Sequence, residues 1–265
     1  MNLRETINKN LDDEIKEFPK ARKTLDFLRT DKEIELALVI SNDVTVGRLG
    51  YNDHGDVHAK IVSFISAKIL QILYSKGIKP NLLKECKKAT FEDALEVVII
   101  AGYLHDIGNS ILRDQHELTG FFIVKGILDR LYHTTNEINE LNERKKKLIL
   151  EAILCHMGNY QSTSLEAKIV PLADGCDMEQ GRARIPYEKG KRDMHGLSAL
   201  SITKVRVKEG KTKPISIYVE MESSAGVFQI EANLLKKIKD AGMEKYVEIE
   251  AFISSRKETI NYLKE

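Results

Sequence analysis

The stretch Ala101-Gly-Tyr-Leu-His-Asp-Ile-Gly108 decides how this chain is read. It closes an apolar run, Val97 to Ile100, with a histidine and an aspartate side by side. Residues 94–104 are apolar nearly all round, the pattern of a central buried helix. On a helix, neighbouring side chains diverge by about 100°. His105 and Asp106 can therefore serve one ion only where the helix ends, and Gly108 is consistent with such an end. Taken alone, His105 reads equally well as a hydrogen-bonded core histidine and Asp106 as a cap.

The doublet has companions. His58 opens the helical pattern of Ile61, Ile65, Ile69 and Ile72. His116 precedes Phe121, Ile123, Val124, Ile127 and Leu131, which mark a helix beginning near Asp114 or His116. His156 ends a helix marked by Ile149, Ile153 and Leu154, before Gly158. Asp174 follows the apolar Ile169-Val-Pro-Leu-Ala173, where a buried carboxylate is costly unless paired. Asp177, three residues on, shares roughly its face and is expected to orient a ligand or bind substrate, or to face solvent. His54 reads as a loop residue or as support for the ligands. His133 and His195 have no comparable setting.

These segments predict a mainly α chain. Leu36, Ala37, Val39 and Ile40 recur at helical spacing, and Ser41-Asn-Asp43 is expected to end that helix. The charged stretch 137–147 reads as a solvated helix face or a loop. Around Leu197 the period changes from helical to two. Residues 200–207 and 215–221 alternate across the turn cluster Glu209-Gly-Lys-Thr-Lys-Pro214 and predict a hairpin. A helical pattern over 226–242 and an alternating run over 246–253 complete a β-β-α-β appendage. The expected division is a helical metal-binding domain, 1–196, and a small α+β unit, 197–265. Ser223-Ser-Ala-Gly226 is expected to open the appendage's helix, as an N-cap or as an anion site. Glu188-Lys-Gly-Lys-Arg192 is the expected exposed connection.

With 265 residues the chain can bury a sizeable core, and 41 basic against 40 acidic side chains leave a formal net charge of +1. That balance lacks the global signature of a nucleic-acid or membrane-surface binder, although local patches stay open. Cys86, Cys155 and Cys176 have no paired C-x-x-C spacing and argue against a disulfide framework or a zinc knuckle. The N-terminus has no apolar h-region. No apolar run is read as approaching the roughly 18 residues of a membrane helix. A cytoplasmic protein without a membrane partner is the expectation.

Several imidazoles and carboxylates with no thiolate suit one or two divalent ions, among manganese, iron, cobalt, nickel, zinc and magnesium. Candidate ligands are His58, His105, Asp106, His116, His156 and Asp174. A phosphate substrate would also need basic groups. Arg113, Arg182 and Arg184 are the candidates, with surface solvation as the alternative for each. Lys189, Lys191 and Arg192 read as solvated.

A His, then a His-Asp doublet, then a distant Asp on a helical bundle resembles the HD superfamily of metal-dependent phosphohydrolases. The matching positions are His58, His105-Asp106 and Asp174, and the resemblance covers about residues 33–185. Leu104-His-Asp-Ile-Gly108 and Leu172-Ala-Asp174 are its most specific pieces. Members with a dinuclear centre have two further histidines, which His116 and His156 resemble. Gly-Tyr-Asn-Asp-His-Gly-Asp-Val-His58 and Asp177-Met-Glu-Gln-Gly-Arg-Ala-Arg-Ile-Pro186 resemble an archaeal-type branch. Many members carry Lys after His-Asp-Ile-Gly, where this chain has Asn109; the β-β-α-β appendage lies outside the common family core. The resemblance implies hydrolysis of a phosphoester, of a nucleotide or a related small molecule, by a metal-activated water, with Asp106 and His105 as catalytic residues. Asp106 would bridge both ions in a dinuclear centre. Arg113, Asp177, Arg182 and Arg184 would face the substrate. Two other functions stay open: a di-iron oxygenase using the same ligands, and a regulatory or RNA-associated binding module. The appendage is expected to serve homodimerisation or lid formation.

Overall fold

A computed structural model of the chain describes residues 3–132, 139–181 and 194–263. Helices α1 (Leu3–Glu14), α2 (Pro19–Thr30), α3 (Lys32–Asn42) and α4 (Asp56–Ser75) precede a short α5 (Asn81–Glu85). The bundle continues with α6 (Phe91–Leu104), α7 (His116–Tyr132), α8 (Glu140–Cys155) and α9 (Leu165–Cys176). α10 (Met194–Leu200) leads into a sheet of β1 (Ile202–Glu209), β2 (Ile215–Met221), β3 (Val247–Ile253) and β4 (Glu258–Tyr262).

α6 is the axis of the bundle. Every residue from Asp93 to Leu104 is buried, and α2, α4, α8 and α9 pack around it. Its start is fixed by a capping box: Thr90 accepts from the backbone while the Asp93 carboxylate accepts from the Thr90 N–H. Against the expectation of no such segment, α4 has the length and composition of a membrane-crossing helix. However, 67% of its apolar window is buried inside the fold, as in a core helix. Ser63 and Ser66 on α4 face Gly102 of α6, where a side chain would collide with the Ser63 backbone.

α3 departs from the expected pattern in two ways. Its apolar repeat is helical as expected but does not mark the core face: Leu36 and Val39 are 59% and 53% exposed, while Ile34 and Leu38 are buried. The helical path also runs past Asn42 as a π-helical turn, Asp43–Arg48, rather than ending in the Ser-Asn-Asp cluster. The Asp31 carboxylate caps α3 by accepting from the Glu33 and Ile34 N–H groups, which sets where the helix starts but not its rotation. The charged residues from Glu140 belong to α8, whose C-terminal half is buried.

The predicted hairpin is present, with Val205 opposite Val219 and Glu209 opposite Ile215. β3 adds parallel to β2 through the intervening helical segment, and β4 adds antiparallel to β3, giving the order β1-β2-β3-β4. The appendage is therefore β-β-α-β-β. β4 was missed because Glu258-Thr-Ile-Asn-Tyr262 is an edge strand, mostly exposed, with little apolar alternation to read. The helical segment over 224–240 begins as a 3₁₀ turn (Ser224–Gly226). It passes through Val227–Gln229 and a π segment (Ile230–Leu234) into α11 (Leu235–Asp240). Ser223 makes no capping hydrogen bond and instead pairs with Ser201. Gly226 is pressed between Ile202 and Met221. The expected side-chain N-cap is therefore not formed at that turn. β1 and β2 lie against α4, and the π segment and α11 lie against α9, so one continuous apolar core underlies helices and sheet. The three cysteines are buried and unpaired with one another.

Candidate metal centre

α6 ends at Leu104, one residue before the doublet, and the chain turns there. His105 is still right-handed helical (φ −56, ψ −34), whereas Asp106 (φ −101, ψ 3) has left the helix. That turn lets adjacent side chains reach the same space. Gly108 is needed for a different reason than a left-handed helix end. It lies in a 3₁₀ turn (Ile107–Ser110), and a Cβ there would come within 2.0 Å of the His116 carbonyl and 2.5 Å of the Gly120 N–H. Its missing side chain lets the first turn of α7 press against the doublet.

Four helices deliver the remaining groups. His58 lies in the first turn of α4, His116 opens α7, His156 follows the last residue of α8, and Asp174 lies in the last turn of α9. His58, His105, His116 and His156 are essentially inaccessible to solvent, and Asp106 is buried with them.

Each imidazole is pinned through Nδ1. His105 donates to the Gly102 carbonyl (2.9 Å), His116 to the Arg113 carbonyl (3.0 Å) and His156 to the Ile153 carbonyl (2.7 Å). His58 donates to the Asp177 carboxylate at 2.6 Å. Carbonyl and carboxylate oxygens only accept, so Nδ1 carries the proton and each Nε2 presents a lone pair. These Nε2 atoms converge. His58 and His105 are 3.1 Å apart, His116 and His156 3.0 Å.

The Asp106 carboxylate lies between the two pairs. Oδ2 is 3.3 Å from His58 Nε2 and 3.4 Å from His105 Nε2; Oδ1 is 2.9 Å from His116 Nε2 and 3.5 Å from His156 Nε2. His58, His105 and Asp106 form one group able to hold an ion, and Asp106, His116 and His156 a second. Asp174 joins the first group, its Oδ1 3.4 Å from His58 and 3.9 Å from His105. Facing lone pairs at 3 Å repel unless a cation lies among them, so the donor set fits a metal ion on its own chemistry. Burial would raise the Asp106 pKa, but when the neighbouring imidazoles take up a second proton in place of an ion, the charge on His105 and His54 and hydrogen bonds from His105 and His116 hold it well below the usual carboxylate range. Burial, with His116 and His105 beside it, pushes His156 down to about 4, so at neutral pH its lone pair is available to a metal.

All six candidate ligands come together, and Asp177 meets them through His58. His54 stands at the edge of the centre, its Nδ1 on the Asn52 carbonyl (2.6 Å) and its Nε2 3.9 Å from Asp106 Oδ2. Arg113 holds His116 through its backbone. Its guanidinium donates to Asn109 Oδ1 (3.1 Å) and lies over the Tyr51 ring. Asn109 donates from Nδ2 to the Asp106 carbonyl and so braces the turn. Arg182 and Arg184 lie outside the described residues, as does the 188–192 connection.

One residue at the site was not anticipated. Lys237 of α11 donates to Asp174 Oδ2 at 2.6 Å and to the His156 carbonyl at 3.4 Å. The C-terminal unit thus places a lysine against a carboxylate of the centre. Nothing in the sequence separates Lys237 from Lys236 and Lys239; only the packing of α11 on α9 does.

Residues 56–179 match the HD domain family model. The chain is 43% identical over 236 residues to an uncharacterized protein of Methanocaldococcus jannaschii, covering 88% of this chain and 89% of that one. It is also 24% identical over 162 residues to ribonuclease Y of Symbiobacterium thermophilum, covering 59% of this chain but 28% of that enzyme. No solved structure gives a significant match.

Proposed function

This chain belongs to the HD domain family, and from that premise we propose that it is a metal-dependent phosphohydrolase with a dinuclear centre, acting on a nucleotide or a related small phosphoester. One observation carries the reading: Asp106 turns one carboxylate oxygen to the Nε2 pair of His58 and His105 and the other to that of His116 and His156. A carboxylate set between two imidazole pairs is suited to joining two cations.

Divalent ions held there would polarise a phosphoryl oxygen and lower the pKa of a water. The chain's own residues do the rest. Asp177 and the carbonyls of Gly102, Arg113 and Ile153 fix the ring orientations, so no imidazole has to reorganise on binding. Burial of the histidines keeps bulk water away and strengthens each electrostatic contact. Asp174 turns Oδ1 to the first group while Oδ2 is held by Lys237. His54 flanks the Asp106 side of the centre and is assigned to substrate contact.

The test is a screen of the manganese-, iron- and zinc-loaded protein across nucleotides, cyclic nucleotides, generic phosphoesters and short RNA. The ribonuclease likeness is the reason to include RNA. Released phosphate and product identity are both read, with and without dioxygen. Metal-dependent turnover that vanishes in Asp106→Ala and ignores dioxygen is expected. Turnover that requires iron and dioxygen would replace this reading with an oxygenase. We also propose a cytoplasmic location and a homodimer; sedimentation of the purified chain checks the second.

A further inference from the structure

We propose that Lys237 is the cation that receives the substrate's phosphate, so that the C-terminal sheet unit contributes directly to the centre built by the helices. The inference rests on the phosphohydrolase reading and names a substrate-binding residue for it. Among the described residues, Lys237 is the lysine or arginine in contact with a carboxylate of the centre. Its ammonium lies between Asp174, which serves the His58 and His105 group, and the backbone of His156, which serves the other. A phosphate oxygen shared between the two groups would meet it there.

The approach is built, not incidental. Gly175 follows Asp174, and a Cβ at that position would come within 3.1 Å of Lys237 Cδ and 3.3 Å of Leu234 Cδ1. The missing side chain lets the segment 234–237 lie against the last turn of α9. Leu234 is fully buried and Ile238 likewise, which fixes the rotation of α11 and with it the direction of Lys237. The side chain remains 23% exposed, so its ammonium is open to a ligand arriving from solvent. Lys236, one residue away, is instead tied to Asp240 at 2.5 Å on the exposed face. Lysine suits the role: a compact charge on a flexible stem can stay with Asp174 and turn to an incoming anion. Arg113, the other described basic side chain near the ligands, is committed to Asn109 and the Tyr51 ring.

The experiment titrates inorganic phosphate into the manganese-loaded full chain by calorimetry, for the wild type, Lys237→Met, Lys237→Arg and the neighbouring control Lys236→Met. Lys237→Met is expected to weaken phosphate binding about ten- to hundredfold, the range for a lost charge-assisted hydrogen bond. Lys237→Arg should recover part of it, Lys236→Met should bind as the wild type, and metal content should be unchanged throughout. On any phosphoester that is turned over, KM should rise more than kcat falls. Phosphate binding in Lys237→Met equal to the wild type overturns the proposal. Loss of metal from that variant also overturns it, because the lysine then serves Asp174 alone. A wild type that binds no phosphate overturns it as well. Hydrolysis that depends on Asp106 but not on Lys237 leaves the phosphohydrolase reading intact. Lysine-dependent phosphate binding without hydrolysis removes that reading and keeps this one.

Discussion

An imidazole can turn a lone pair inward only if its other nitrogen is occupied, and this centre meets that demand locally. Three of its histidines bond a carbonyl three residues back, at the end or first turn of their own helices. His58, in the first turn of α4, instead uses Asp177 from across the site. Removing that carboxylate should leave the fold standing and free one ring. Asp177→Ala is expected to weaken binding of one ion about 10- to 100-fold, checked by competition with a coloured chelator. Asp106→Ala should empty both groups, and His116→Ala should remove one equivalent; elemental analysis reads both. Equal metal loss in His116→Ala and Asp106→Ala would contradict two separable groups sharing one carboxylate.

At the scale of elements, the site depends on how closely the 3₁₀ turn meets α7. Gly108→Ala drives a methyl into the backbone of His116 and Gly120, where neither neighbour can yield without moving the helix. The expected cost is about 1–3 kcal/mol or more, with His116 displaced; chemical denaturation and metal stoichiometry check both effects. Helix starts carry the acid sensitivity. Burial would raise the Asp93 pKa, but the Thr90 hydrogen bonds and the Lys20 and Lys145 ammonium groups lower it; Asp31 is lowered by its cap bonds and Arg130 against the same burial. A carboxylate whose folded pKa lies below its unfolded one stabilises fully above the unfolded value, about 3.9. That contribution is lost as pH falls through the lower, folded value. Denaturation midpoints should therefore drop below about pH 4, and Asp93→Asn should flatten that dependence. An unchanged slope in the variant would remove Asp93 from the account.

Over the whole molecule, four separate helices and the turn after α6 bring the candidate ligands to one point, so binding an ion there would be coupled to holding the fold. A ligand at a thousand times its dissociation constant adds about 4 kcal/mol of stability. Chelation should lower the melting temperature of the wild type and leave Asp106→Ala unmoved, measured by calorimetry with and without EDTA. Lys237 extends that coupling to the sheet, because α11 packs on α9 beside Asp174.

Much of this was legible in the chain before any coordinates. The helical bundle and the hairpin follow from apolar periodicity. The six candidate ligands were legible because an aspartate or histidine beside an apolar helix end is hard to explain unless something pairs with it. α3's buried face was not legible, because Leu36 and Val39 carry the same apolar signal whether they face core or solvent. β4 was not, because an exposed edge strand needs no alternation. The sequence by itself determined which residues could hold a metal, since ligand chemistry is a property of residue type and of local backbone reach. Only the tertiary structure decided that Asp106 faces two imidazole pairs and that Lys237, rather than Lys236 or Lys239, meets Asp174. Those are relations between elements distant in sequence, set by how helices rotate and how closely Gly108 and Gly175 let them approach.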